Sequence, residues 1–137
     1  VPSQGEQIAA FLRARYTEAK TREESRRSVS GNLPFEWTHV YEYVEIDGRF
    51  RVPVDAFYEK HGQPSADPVV LADLDAKLAV IDEHQDVNDG DCSTCVDGRW
   101  GYPTHGGSSP QTHPCRTLRH LAVPFAAHPD YDERWRP

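Results

Sequence analysis

Three cysteines and an upstream histidine carry the chemistry this chain can offer. His84, Cys92, Cys95 and Cys115 are spaced His-x7-Cys-x2-Cys-x19-Cys, and no other cysteine occurs in the 137 residues. Two thiolates two residues apart can grip one metal from a tight turn, and ligands from the flanking segments can complete a tetrahedron. A closed set of three cysteines and one histidine is a common structural zinc design. The predicted cofactor is therefore zinc, held by His84, Cys92, Cys95 and Cys115. His113, two residues before Cys115, is the rival fourth ligand, and His105 stands behind both. The bland alternative is three thiols acting as small buried hydrophobes. A redox pair at Cys92 and Cys95 would need a thioredoxin-like βαβ setting, and here the pair follows an acidic loop and precedes Asp97-Gly98.

The elements that must position these ligands follow from periodicity. Residues 3–27 read as a first helix, with Ser3 and Glu6 as a capping box and Ile8, Phe11, Leu12 and Tyr16 as its apolar stripe. THVYEYVEIDGRFRVPV reads as a β-hairpin turning at Asp47-Gly48, with Pro53 marking an edge strand. Residues 55–66 read as a helical turn, AFYEK, and a loop carrying His61 as a surface side chain. Asp67 can cap a second helix that starts at Pro68 and whose stripe is Leu71, Leu74, Leu78 and Ile81. His84 extends that stripe to the helix end, where the macrodipole favours a cation. Cys95 leads into a short hairpin at Asp97-Gly98. A third helix starts near Cys115, where an N-terminal partial charge would stabilise a thiolate. Pro124 should end or kink this helix. The tail carries Tyr131 and Trp135, which can fold back or dock on another protein. The fold class expected is α+β, three helices with a β-hairpin and a zinc-knuckle cross-link, in one domain spanning 1–137.

Composition bounds the partners. The net charge is −7, and residues 31–91 carry four Lys/Arg against fourteen Asp/Glu. Such a middle repels phosphates and disfavours a general nucleic-acid role. No apolar run is long enough to cross a bilayer. Three thiols without a pairing scheme suit a reducing compartment, the cytoplasm or the interior of an assembled particle.

FLRARYTEAK, DPVVLADLDAKLAVIDEH and CRTLRHLAVPFAAHPDYDERWRP together resemble a family of small uncharacterised actinobacterial and actinophage proteins, carried as a domain of unknown function. The resemblance implies a metal set of a histidine ending the middle helix, a Cys-x2-Cys and a cysteine before the Thr-Leu-Arg helix. By position these are His84, Cys92, Cys95 and Cys115. It implies a phage-related setting but no activity.

The function expected is a small zinc-stabilised protein-interaction or adaptor module. Its partner would be another protein, met through the hairpin aromatics (Trp37, Tyr41, Tyr43), helix 1 or the C-terminal tail. One alternative is a metal-dependent hydrolase or nuclease with a three-ligand zinc, using Glu83, Asp86, Asp91 or a nearby histidine as base. The other is a nucleic-acid binder through Arg22, Arg26 and Arg27 of helix 1. No His-Glu-x-x-His helix, phosphate loop or Gly-x-Ser-x-Gly elbow is present.

Overall fold

The structure is a computed structural model that describes residues 1–29, 31–96 and 109–137. The expected Asp97-Gly98 turn and His105 lie outside the described residues. In chain order the elements are α1 (Gln4–Glu24), β1 (Arg27–Val29), β2 (Trp37–Val40), β3 (Tyr43–Ile46), β4 (Phe50–Pro53), α2 (Val54–His61), β5 (Gly62–Pro64), α3 (Pro68–Glu83), β6 (Asp86–Val87), β7 (Asp91–Val96), β8 (Pro110–Thr112) and α4 (Arg116–Ala122). They form two compact units, Val1–Ala19 with Ala72–Pro137, and Lys20–Leu71.

In the first unit, α1 begins as its sequence dictates. The Ser3 hydroxyl accepts from the Glu6 amide at 3.1 Å, and Glu6 Oε2 accepts from the Ser3 amide at 2.8 Å. This reciprocal box satisfies backbone donors that a helix start leaves open. The stripe of Ile8, Phe11, Leu12 and Tyr16 is buried against Leu74 and Ile81 of α3 and Leu118 and Ala122 of α4. The α4 helix ends at Ala122 and tightens into a 3-10 turn, Val123–Phe125, that contains Pro124. The tail folds back, so Trp135 is buried with its ring 5.2 Å from that of Phe11.

The second unit departs from the sequence expectation in three ways. First, residues 54–61 form a full helix, so the described residues hold four α-helices rather than three. The helix is driven by Phe57, which is buried under Phe35 and Trp37. A weakly periodic segment of eight residues gains helical stability from such packing more than from propensity. Second, His61 is the last residue of that helix, its ring 4.9 Å from Phe57. Third, the hairpin is a three-stranded meander, β2-β3-β4, with Val44 of the central strand fully buried. One turn falls at Tyr41-Glu42. The other is a three-residue loop in which Asp47 and Gly48 both have positive φ. Pro53 does lie on an edge strand. A two-stranded sheet, β1 with β5, completes this unit. No helix among the described residues is long and apolar enough to cross a membrane.

Candidate metal centre

Three segments of the first unit converge on one point. Asp67 caps the helix that ends there: its Oδ1 accepts from the Val69 amide at 2.8 Å. The helix runs to Glu83, and the His84 amide closes its end on the Ile81 carbonyl at 3.1 Å. The chain then reverses through β6 and a turn at Asn88, Asp89 and Gly90, all with positive φ. Asn, Asp and Gly are the residues that tolerate that conformation.

Cys92 and Cys95 both lie on β7. In a regular strand, positions three apart face opposite sides. The register of β7 against β8 shifts between Asp91 and Val96, which breaks that alternation. The Cys95 amide donates to Cys92 Sγ at 3.4 Å, so the segment curls around its own sulfur. Cys115 arrives from the other direction as the N-cap of α4.

The result is a cluster in which one potential ligand atom from each of His84, Cys92, Cys95 and Cys115 lies within 4.8 Å of every other. His84 Nδ1 stands 3.6 Å from Cys92 Sγ, 3.3 Å from Cys95 Sγ and 3.5 Å from Cys115 Sγ. A ring nitrogen has one lone pair or one hydrogen, so it cannot make three thiol hydrogen bonds at once. Four converging ligand atoms of these types can hold a metal ion. Cys92 and Cys115 are buried, while His84 and Cys95 are partly covered.

His113 is brought to the same region but in another role. Its Nε2 lies 2.8 Å from the His84 carbonyl oxygen, which can only accept, so this nitrogen carries the proton. Its Nδ1 is buried with no partner among the described residues and packs on Gly5. The side chain braces the backbone of His84 and lies outside the four-atom cluster.

Sequence reasoning missed the two residues between the cysteines. Ser93 Oγ donates to the Glu83 carbonyl at 3.0 Å and accepts from the Gln85 amide at 3.0 Å, and the Thr94 hydroxyl donates to the same Glu83 carbonyl. These bonds satisfy an open carbonyl at the end of α3 and fasten the cysteine turn to it. The signal is present as two adjacent hydroxyl residues in Cys-Ser-Thr-Cys. Thr117 Oγ1 also lies 3.7 Å from Cys95 Sγ.

The thiols are not equivalent. Burial pushes Cys115 up to about 12, against the Leu118 amide, which pulls it down. The expected stabilisation of its thiolate by the helix start is thus outweighed by desolvation. Cys92 also feels burial. Amide hydrogen bonds from Cys95 and Thr94, with contacts to the other two thiols, bring it below the ordinary thiol value. Metal and proton compete for the same sulfur, and Cys115 holds its proton throughout the neutral range. Metal affinity should therefore rise with pH, by about tenfold per unit for each proton displaced. Competition against a chromophoric chelator at several pH values near neutrality measures it. A pH-independent affinity would remove thiol displacement from the binding step.

A small α+β protein built around a cluster of one histidine and three cysteines is what this geometry defines. The chain belongs to DUF6221, a family of unknown function whose model matches residues 5–137. No curated protein and no solved structure matches it.

Proposed function

We propose that the cluster is a closed structural zinc site and that the protein is a non-catalytic interaction module whose shape the zinc fixes. The supporting observation is the set of Nδ1 to sulfur separations of 3.6, 3.3 and 3.5 Å. A tetrahedron with Zn–S about 2.3 Å and Zn–N about 2.0–2.1 Å has an N···S edge of about 3.6 Å. Three thiolates with one imidazole in tetrahedral array suit zinc and exclude hard cations such as magnesium or calcium by ligand type. With four protein ligands no position remains for an activated water, which argues against hydrolysis.

Interaction with another protein then falls to surfaces away from the metal. The tail contributes little, because Trp135 is buried in its own core. Tyr41 and Phe50 of the meander are exposed, and they supply the aromatic surface that interfaces favour.

Metal analysis of the purified chain should give about one zinc per molecule. Cobalt substitution should give the intense ligand-field absorption of a tetrahedral thiolate site. A weak five-coordinate spectrum with exchangeable water would instead support the hydrolase reading.

A further inference from the structure

The three sulfurs of the cluster are served by different donors. Cys92 Sγ accepts from the amides of Thr94 and Cys95, the latter at 3.4 Å. Cys115 accepts from the Leu118 amide. Both lie deep in the core, Cys92 at 4 % and Cys115 at 1 % exposure. Cys95 differs on both counts. It is partly exposed, and among the described residues no backbone amide donates to its sulfur. Outside the cluster its polar neighbour is Thr117 Oγ1, 3.7 Å away on the first turn of α4. That donor sits on a side chain that can rotate, whereas the amides at Cys92 and Cys115 are fixed by the backbone.

A thiol and a hydroxyl can each donate to the other. In a metal-bound site that choice disappears. The bound form of cysteine is the thiolate, which has no proton and can only accept. The Thr117 hydroxyl is then the donor. Three thiolates and a neutral imidazole around a zinc dication leave one surplus negative charge on the cluster. Hydrogen bonds to the sulfurs spread that charge. Cys95 has one hydroxyl where Cys92 has two amides, and it has the most access to solvent of the three. Both properties raise the reactivity of a thiolate toward electrophiles.

We propose that Cys95 is the modification site of the cluster, the sulfur at which soft electrophiles open it, and that the Thr117 hydroxyl donates to this sulfur and restrains the attack. The inference rests on the zinc reading above. With an alkyl halide, a lone pair of the Cys95 sulfur forms a carbon–sulfur bond, the carbon–halogen bond breaks and halide leaves. No proton moves, because the sulfur carried none. The product is a thioether, a much weaker ligand than a thiolate, so the tetrahedron loses one corner.

The test is alkylation of the zinc-loaded full chain with iodoacetamide, read by peptide mass spectrometry while a zinc indicator records release. Cys95 should be modified first and in step with zinc release, with Cys92 and Cys115 following only afterwards. Thr117→Val keeps the shape of the side chain and removes the donor. It should raise the rate at Cys95 by about two- to tenfold, the worth of one hydrogen bond. Thr117→Ser keeps the hydroxyl and should bring the rate back. In the cobalt-loaded Thr117→Val chain, the sulfur-to-cobalt charge-transfer band should move to longer wavelength, because a thiolate without its donor gives up charge more readily. Thr117→Ser should keep the wild-type band. A packing role for Thr117 alone would leave that band in place in both variants. First modification at Cys92 or Cys115, or equal rates at all three, overturns the assignment of Cys95. An unchanged rate or an unmoved band in Thr117→Val overturns the role of Thr117. A chain that takes up neither zinc nor cobalt overturns the zinc reading itself, so the two failures are told apart before any reagent is added.

Discussion

If the cluster holds the structural zinc proposed above, a chelator, or replacement of Cys95 by Ser, should unfold the Val1–Ala19 and Ala72–Pro137 unit. The expectation rests on what holds the segment from Asp86 to Thr112. Of its described residues, only Cys92 is a buried member of the core cluster, with Cys95 packed against it. The remaining ties are the short ladders of β6, β7 and β8 and the Ser93 and Thr94 bonds to Glu83. His84 Nδ1 faces three thiols and can bond only one of them at a time, whereas an ion would bind all four ligand atoms. A structural zinc contributes about 10–16 kcal/mol of apparent binding energy, comparable with or larger than the whole stability of a small domain, about 5–15 kcal/mol. Circular dichroism should show loss of helix in the chelated protein and recovery when zinc returns. Thermal melting that is the same with chelator, and in Cys95→Ser, would take the metal out of the stability of this unit.

Replacing Gly5 by Ala should lower stability by about 3 kcal/mol or more, against the usual gain for such a change in a helix, about 0.5–1 kcal/mol. An added Cβ would lie 1.9 Å from His113 Nδ1 and 2.5 Å from its Cε1. The ring cannot step aside without cost. Its Nε2 is bonded to the His84 carbonyl, and its backbone amide donates to Gly90 O at 2.8 Å. If the ring rotates out, the carbonyl of His84 loses its partner and the cluster loses a brace. Denaturant unfolding of Gly5→Ala, His113→Ala and the double variant separates the terms. The double variant should be more stable than Gly5→Ala alone. Simple additivity of the two losses would sink the contact argument.

Local signals explain what could be read without coordinates. Ser3 with Glu6, and Asp67 before Pro68, announce helix starts through side-chain geometry that acts within a few residues. The stripes of α1 and α3 are periodic enough to name the buried side chains Ile8, Phe11, Leu12, Tyr16, Leu74 and Ile81. Pro124 ends the α4 pattern because it lacks an amide donor. The segment 54–61 is harder to read, since its helix depends on Phe57 packing beneath Phe35 and Trp37, residues about twenty positions away. The pairing of β1 with β5 joins Arg27 to Pro64, and nothing within either short strand specifies the other.

The chemistry divides along the same line. By itself the order of residues determined which donors exist: three thiols, a histidine at a helix end, and the two-residue gap that lets one turn present two sulfurs. Only the tertiary structure decided the roles of the two histidines. It turned His84 Nδ1 toward all three sulfurs, and it bound His113 Nε2 to a backbone carbonyl while packing the ring on Gly5. Spacing limits which residues can reach a point. The direction of a ring nitrogen is set by the groups packed around it, and those come from segments distant in the chain.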